Sequence, residues 1–241
     1  MIYGTAWKKS ETKELVATAL RAGFRAVDTA NMPKHYSESA VGDALRQSGV
    51  PREQLWVQTK YTRDACEGAE VADADFPFDP AATIRDQVRQ SFKSSMSHLG
   101  GVGGEGGASY LGGYLDSYLM HSPFTAHKDT MEAWREMEAL HSEGLVKRIG
   151  VSNFNADQLA DLVEEAVVKP TSVQNRCVMG STHAGGGSDA WDAAVRALCR
   201  QHGIAYQGMI RLSVSVLLHV CPELTSHHLT KPSGFSRTSI C

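Results

Sequence analysis

The chain holds no run of apolar residues approaching the roughly 18 that a membrane-spanning helix needs, and nothing in it reads as a bilayer span. Its first ten residues, MIYGTAWKKS, carry neither an apolar secretory core nor an Arg- and Ser-rich amphipathic stretch, so a cytoplasmic address is expected. No block of one charge is present: 24 Lys plus Arg stand against 27 Asp plus Glu, a formal net charge of -3, and neither a nucleic acid nor a membrane is expected as partner. Cysteine is sparse. The five, Cys66, Cys177, Cys199, Cys221 and Cys241, are scattered and odd in number, which argues against a disulfide scaffold and against a CxxC metal site. The ten histidines contain no HExxH, and the adjacent pair His227 and His228 lies in a polar tail without carboxylate or Cys at helical spacing, so no metal is expected.

What remains is an ordinary core-forming composition. With 42% hydrophobic and 21% charged residues, the 241-residue chain can bury a sizeable core, and its length fits one large α/β domain as well as two smaller ones. Apolar periodicity alternates between strand and helix along most of it. Strands are expected at 2–6, 24–28, 55–60, 114–121, 146–152, 172–174 and 204–207. Helices are expected at 11–22 with Gly23 as the stop, 38–47, from Asp79 and Pro80 through Leu99, 129–141, from the Asn155 cap through Ala166, and 189–201. Strict alternation implies a parallel sheet covered by helices, either doubly wound or closed into a barrel, and periodicity alone does not separate the two.

Glycine is abundant in one place only. Eight of the 22 glycines fall within Gly100 to Gly113, which should form a flexible loop insert, and a shorter insert of the same kind spans Gly180 to Ser188. Gly101, Gly103 and Gly106 match GxGxxG. The dinucleotide fingerprint requires a strand before and a helix after, and here the order is reversed, so the match reflects composition alone.

Polar side chains gather at the expected strand ends: Asp28, Lys60, His121, Ser152 and Asn153, Gln174 and Asn175, and Tyr206. In a parallel barrel those ends share one face, where such folds keep their active sites. The segments IYGTAW, FRAVDTAN with KHYSESAVGDAL, LWVQTK, LDSYLMHSP, IGVSNF, VQNR and IAYQG, in this order from Ile2 to about Gly208, resemble an aldo-keto reductase. The resemblance implies a (β/α)8 TIM-type barrel that binds NADPH without a Rossmann motif and reduces a small-molecule aldehyde or ketone to the alcohol. It places a catalytic tetrad on Asp28, Tyr36, Lys60 and His121. By the same resemblance Thr5, Ser152, Asn153, Gln174 and Tyr206 contact the cofactor, and Trp7 either walls the substrate pocket or packs structurally.

Tyr36 follows Asp28 by eight residues, where the family's tyrosine usually follows by five, because NMPKH lengthens the loop. The downstream order YSESAVGDAL keeps Tyr36 in register, with His35 as the substitute donor. A phenol with a pKa near 10 transfers its proton reluctantly at neutral pH, and Lys60 is expected to lower that value. Beyond Gly208 the likeness ends. Neither an eighth strand with its helix nor the basic loop that grips the 2'-phosphate is found, so an incomplete barrel over 1–208 and a divergent, poorly ordered tail over 209–241 are expected, with Leu212 to Val220 as an edge strand at most. A truncated, non-catalytic relative that binds or regulates a reductase is the alternative. The sequence leaves oligomeric state open.

Overall fold

The structure, a computed structural model, describes residues 1–64, 76–100, 109–176, 192–209, 211–212 and 237–238. Strands and helices alternate through nearly all of it: β1 (Ile2–Gly4), α1 (Thr12–Arg21), β2 (Ala26–Asp28), α2 (Glu38–Gln47), β3 (Trp56–Tyr61), α3 (Ile84–Gly100), β4 (Ser117–Met120), α4 (His127–Ser142), β5 (Ile149–Ser152), α5 (Ala156–Glu165), β6 (Ser172–Arg176), α6 (Ala193–His202) and β7 (Ala205–Met209). All seven strands pair in parallel and in chain order, so every step from one to the next needs a helical crossover. Two short strands, β8 (Arg211–Leu212) and β9 (Arg237–Thr238), pair antiparallel; the rest of the expected edge strand, 213–220, lies outside the described residues.

The sheet is curled. Gln58 of β3 bonds Gln207 of β7 at 3.0 Å, a contact that a flat sheet with three strands between them would forbid. Alternation along the strands sorts the two faces. Val27, Val57, Tyr61, Tyr118, Met120, Ile149, Val151 and Val173 point outward and join Val16, Leu45, Phe92, Trp134 and Leu162 of the helices in one apolar core. Asp28, Gln58, Lys60, Ser117, Ser152 and Gln174 are buried polar residues of the same strands, and they fill the inside of the curl. The molecule is thus an incomplete (β/α)8-type barrel with an apolar outer layer and a polar interior.

Two sequence expectations need correction. Asp79 and Pro80 do not open α3: the Asp79 carboxylate accepts from Ala81 N at 2.9 Å in a local turn, and Thr83 takes the capping role, its hydroxyl accepting from Asp86 N at 3.2 Å. An Asp side chain satisfied two residues on closes a turn instead of starting a helix. The stripe Val88, Phe92 and Leu99 nevertheless faces the core as expected. The Gly100–Gly113 insert is not a loop throughout. Gly100 is the last residue of α3, and 109–113 form a packed turn in which Leu111 is fully buried and the Tyr110 hydroxyl donates to Val50 O at 2.7 Å. Tyr110 and Leu111 are apolar anchors inside a glycine-rich stretch, and burial overrides composition there. Residues 101–108, with the three glycines of the GxGxxG match, and 180–188 lie outside the described residues.

Candidate active site

The carboxyl ends of the parallel strands converge on one mouth, and the charged pair sits inside it. Lys60, on β3, is completely buried, and its Nζ donates to both carboxylate oxygens of Asp28 at 2.8 Å and to Thr29 O at 2.7 Å. All three ammonium protons therefore have acceptors. Burial pulls the Lys60 pKa down, and the Asp28 carboxylate opposes that pull. Asp28 also accepts from Gln58 Nε2 at 2.7 Å, and its backbone carbonyl accepts from the Thr5 hydroxyl at 3.0 Å, which ties β1 to the ion pair.

Tyr36 and His121 complete the group from the loops after β2 and β4. The Lys60 ammonium lies 5.4 Å from the centre of the Tyr36 ring, and that ring meets His121 edge to face at 6.0 Å. Burial, and then the charge of Asp28, push the Tyr36 phenol well above its usual value. A net lowering by Lys60 is therefore not what the structure gives: burial and the Asp28 carboxylate outweigh its ammonium. Thr62 Oγ1 bonds Nδ1 of His121 at 2.7 Å, and burial, followed by the charges of Lys60 and His35, lowers that imidazole's pKa from 6.5 to about 3. His121 is neutral at physiological pH.

A second set lies on β5, β6 and β7. The Ser152 hydroxyl, fully buried, donates to Gln174 O at 2.6 Å. Asn153, exposed and at φ 59°, donates through Nδ2 to His121 O at 2.8 Å. Gln174 donates to Gln207 at 3.1 Å, while its own Oε1 is buried and has no hydrogen-bond partner. Gln174, Gln207 and Gly208 line a cavity of about 360 Å³ together with Ile2, Ala26 and Trp56, the first residues of β1, β2 and β3. It therefore opens along the strand starts and the β1–β7 seam and not at the catalytic mouth. The Tyr206 hydroxyl donates to Asp192 at 2.9 Å. Trp7, at φ 62° and 59% exposed, stacks on His35 with ring centres 3.7 Å apart. Of the sequence-predicted residues, Asp28, Tyr36, Lys60 and His121 come together, and Thr5 touches them through the backbone. Ser152, Asn153 and Gln174 make the neighbouring wall. Tyr206 does not join it, because it is in register with outward-facing Val173 and packs on the outer core, and Trp7 stands at the surface.

Sequence reasoning missed Gln58, Gln207, Thr62 and Asp192. Gln58 was visible in principle, because it lies two residues from Lys60 on the same face of a strand.

The family model for the aldo/keto reductases matches residues 1–216. The chain belongs to the aldo/keto reductase family. Among curated members, it is 34% identical over 166 residues to a methylglyoxal reductase, DkgA, of Salmonella typhimurium, covering 68% of this chain and 49% of that one. It is 28% identical over 229 residues to a 9,11-endoperoxide prostaglandin H2 reductase of Trypanosoma cruzi, covering 93% and 66%. Among solved structures, the Bombyx mori aldo-keto reductase in complex with NADP superposes with a TM-score of 0.64 at 27% identity, covering 86% of this chain and 61% of that one. The chain thus spans about half the length of the first bacterial reductases that it matches, and the family's barrel is the fold that they share with it. Among the described residues, no group of three His, Cys, Asp or Glu is placed to hold a metal ion, and no helix is long and apolar enough to cross a membrane.

Proposed function

We propose that this chain reduces a small aldehyde or ketone to the alcohol, using NADPH. The observation that carries the reading is the buried Asp28 and Lys60 pair, with the Tyr36 phenol and a neutral His121 around it at one end of a parallel barrel. The interior also suits a nicotinamide: the buried, unpartnered Oε1 of Gln174 is an acceptor for a carboxamide N–H. Bound there, the cofactor would supply a hydride to the carbonyl carbon.

The chain's own residues handle the oxygen. As negative charge develops on it, Tyr36 delivers its phenolic proton. A phenol raised by burial holds that proton until an alkoxide is present to take it, and the Lys60 ammonium steadies the phenolate left behind. In the tautomer in which the Thr62 hydroxyl donates to Nδ1, His121 carries its proton on Nε2 and would direct the carbonyl oxygen toward Tyr36. Asp28 keeps Lys60 charged in a site that would otherwise neutralise it. Thr5, Ser152 and Asn153 would brace this wall and the cofactor against it.

The relatives' names make methylglyoxal the first aldehyde to offer. NADPH consumption by the chain should fall at least about a hundredfold in Tyr36→Phe, the usual size of a general-acid contribution. Equal rates in the two proteins would overturn the mechanism. The non-catalytic reading is favoured by one observation: among the described residues β1 and β7 do not pair with each other, so the curl is not closed by them. NADPH binding with no turnover of any aldehyde would support that reading instead.

A further inference from the structure

Four polar side chains, from β2, β3, β7 and β6, form one continuous hydrogen-bonded line across the inside of the barrel; Asp28, Gln58 and Gln174 are buried and Gln207 is half-buried. Gln58 Nε2 donates to Asp28 Oδ1 at 2.7 Å and to Gln207 Oε1 at 3.0 Å. Gln58 Oε1 accepts from the Ser117 hydroxyl at 2.9 Å and from Gln207 Nε2 at 3.3 Å. Gln207 Oε1 also accepts from Gln174 Nε2 at 3.1 Å. An amide is nearly symmetric in shape, so each of these could in principle sit either way round. The carboxylate decides: Asp28 only accepts, which turns the Gln58 NH2 toward it. That leaves Gln58 Oε1 for Gln207's NH2, leaves Gln207 Oε1 for Gln174's NH2, and so leaves Gln174 Oε1 as the free, buried acceptor.

We propose that Gln58 and Gln207 are positioning residues that carry the polarity of the Asp28 carboxylate to Gln174 and fix which end of its amide meets a ligand. The ligand group selected is an N–H donor such as a primary carboxamide. This rests on the reading that the nicotinamide lies against Gln174, and it goes beyond it by assigning the cause of Gln174's orientation to Gln207, Gln58 and, through them, Asp28.

Two measurements on the full chain test it. The first needs no cofactor: hydrogen exchange of the Gln174 side-chain NH2, followed by nitrogen-15 NMR. In Gln58→Met, residue 58 is one link removed from Gln174, yet exchange at Gln174 should quicken about tenfold or more, and Gln207→Met should do the same should the first variant fold poorly. Unchanged exchange at Gln174 in a folded variant would overturn the relay, whether or not a cofactor binds. The second compares NADP with its 3-acetylpyridine analogue, in which a methyl replaces the amide NH2. The unmodified chain should prefer NADP by about three- to tenfold, the worth of one hydrogen bond, and Gln58→Met should bring the ratio toward one. A merely structural defect would weaken both ligands alike and leave the ratio standing, which would contradict the proposal. Failure of the unmodified chain to bind either ligand would sink the cofactor reading and leave the exchange experiment to judge the relay.

Discussion

Lys60 is the side chain on which the site turns. A fully buried ammonium is tolerable only with its protons accepted and its charge opposed, and Asp28 with Thr29 O does both. Asp28→Asn would leave the charge unopposed and should cost about 3–5 kcal/mol in urea unfolding at neutral pH. Because burial already lowers the Lys60 pKa below 10.5, its unfolded form binds more protons, so that variant should regain stability as pH rises toward 10.5. His121 gives the acid-side counterpart. Its pKa falls from 6.5 to about 3 on folding, so its contribution is present above pH 6.5 and is lost as pH falls through that window. Replacing it by Gln should therefore flatten the decline; between pH 7 and pH 4.5 the unmodified chain should lose about 1–2 kcal/mol more than His121→Gln, after discounting for solvent around a partly exposed ring. These polar strand ends were legible because Asp28, Lys60 and His121 interrupt apolar runs at matching positions. Gln207 and Asp192 were not, since what they do depends on contacts with strands far away in sequence.

Helices and strands were mostly legible, and the failures were local. The helix at 38–47 and the Asn155 cap follow from spacing alone, and the structure closes the cap as a box: Asn155 Oδ1 accepts from Gln158 N at 2.8 Å, and Gln158 Oε1 accepts from Asn155 N at 3.1 Å. Asn155→Ala should cost about 1 kcal/mol by thermal or urea unfolding. The start of α3 was misread because Asp79 with Pro80 and Thr83 are both cap-like, and only the hydrogen bonds show that Asp79 closes a turn. How closely helices approach was not legible either. Gly42 of α2 lies against the His98 and Leu99 carbonyls of α3, and a methyl group there would run into the backbone. Gly42→Ala should therefore destabilise by about 1–3 kcal/mol despite alanine's better helix propensity, and an unchanged unfolding midpoint would refute that packing.

Alternating βα periodicity left the choice between an open sheet and a barrel undecided, and the Gln58 contact with Gln207 answers it by bringing β3 to β7 across a curled interior. The polar interior is the more informative outcome. An apolar filling would have made the curl a packed core, whereas a carboxylate, an ammonium and three amides make it a site that can hold a polar ligand at one mouth. If NADPH enters that interior, saturation at about a hundred times its dissociation constant should add about 2.7 kcal/mol and raise the melting temperature by roughly 5 to 10 °C. The most direct trial follows the transferred atom itself. NADPH carrying deuterium at the transferable position of its nicotinamide is mixed with the chain and methylglyoxal, and the alcohol is examined by mass spectrometry. Deuterium on the former carbonyl carbon, formed by the unmodified chain and reduced at least about a hundredfold in Tyr36→Phe, is the result expected here. Alcohol without deuterium, or the same yield from both proteins, would contradict it.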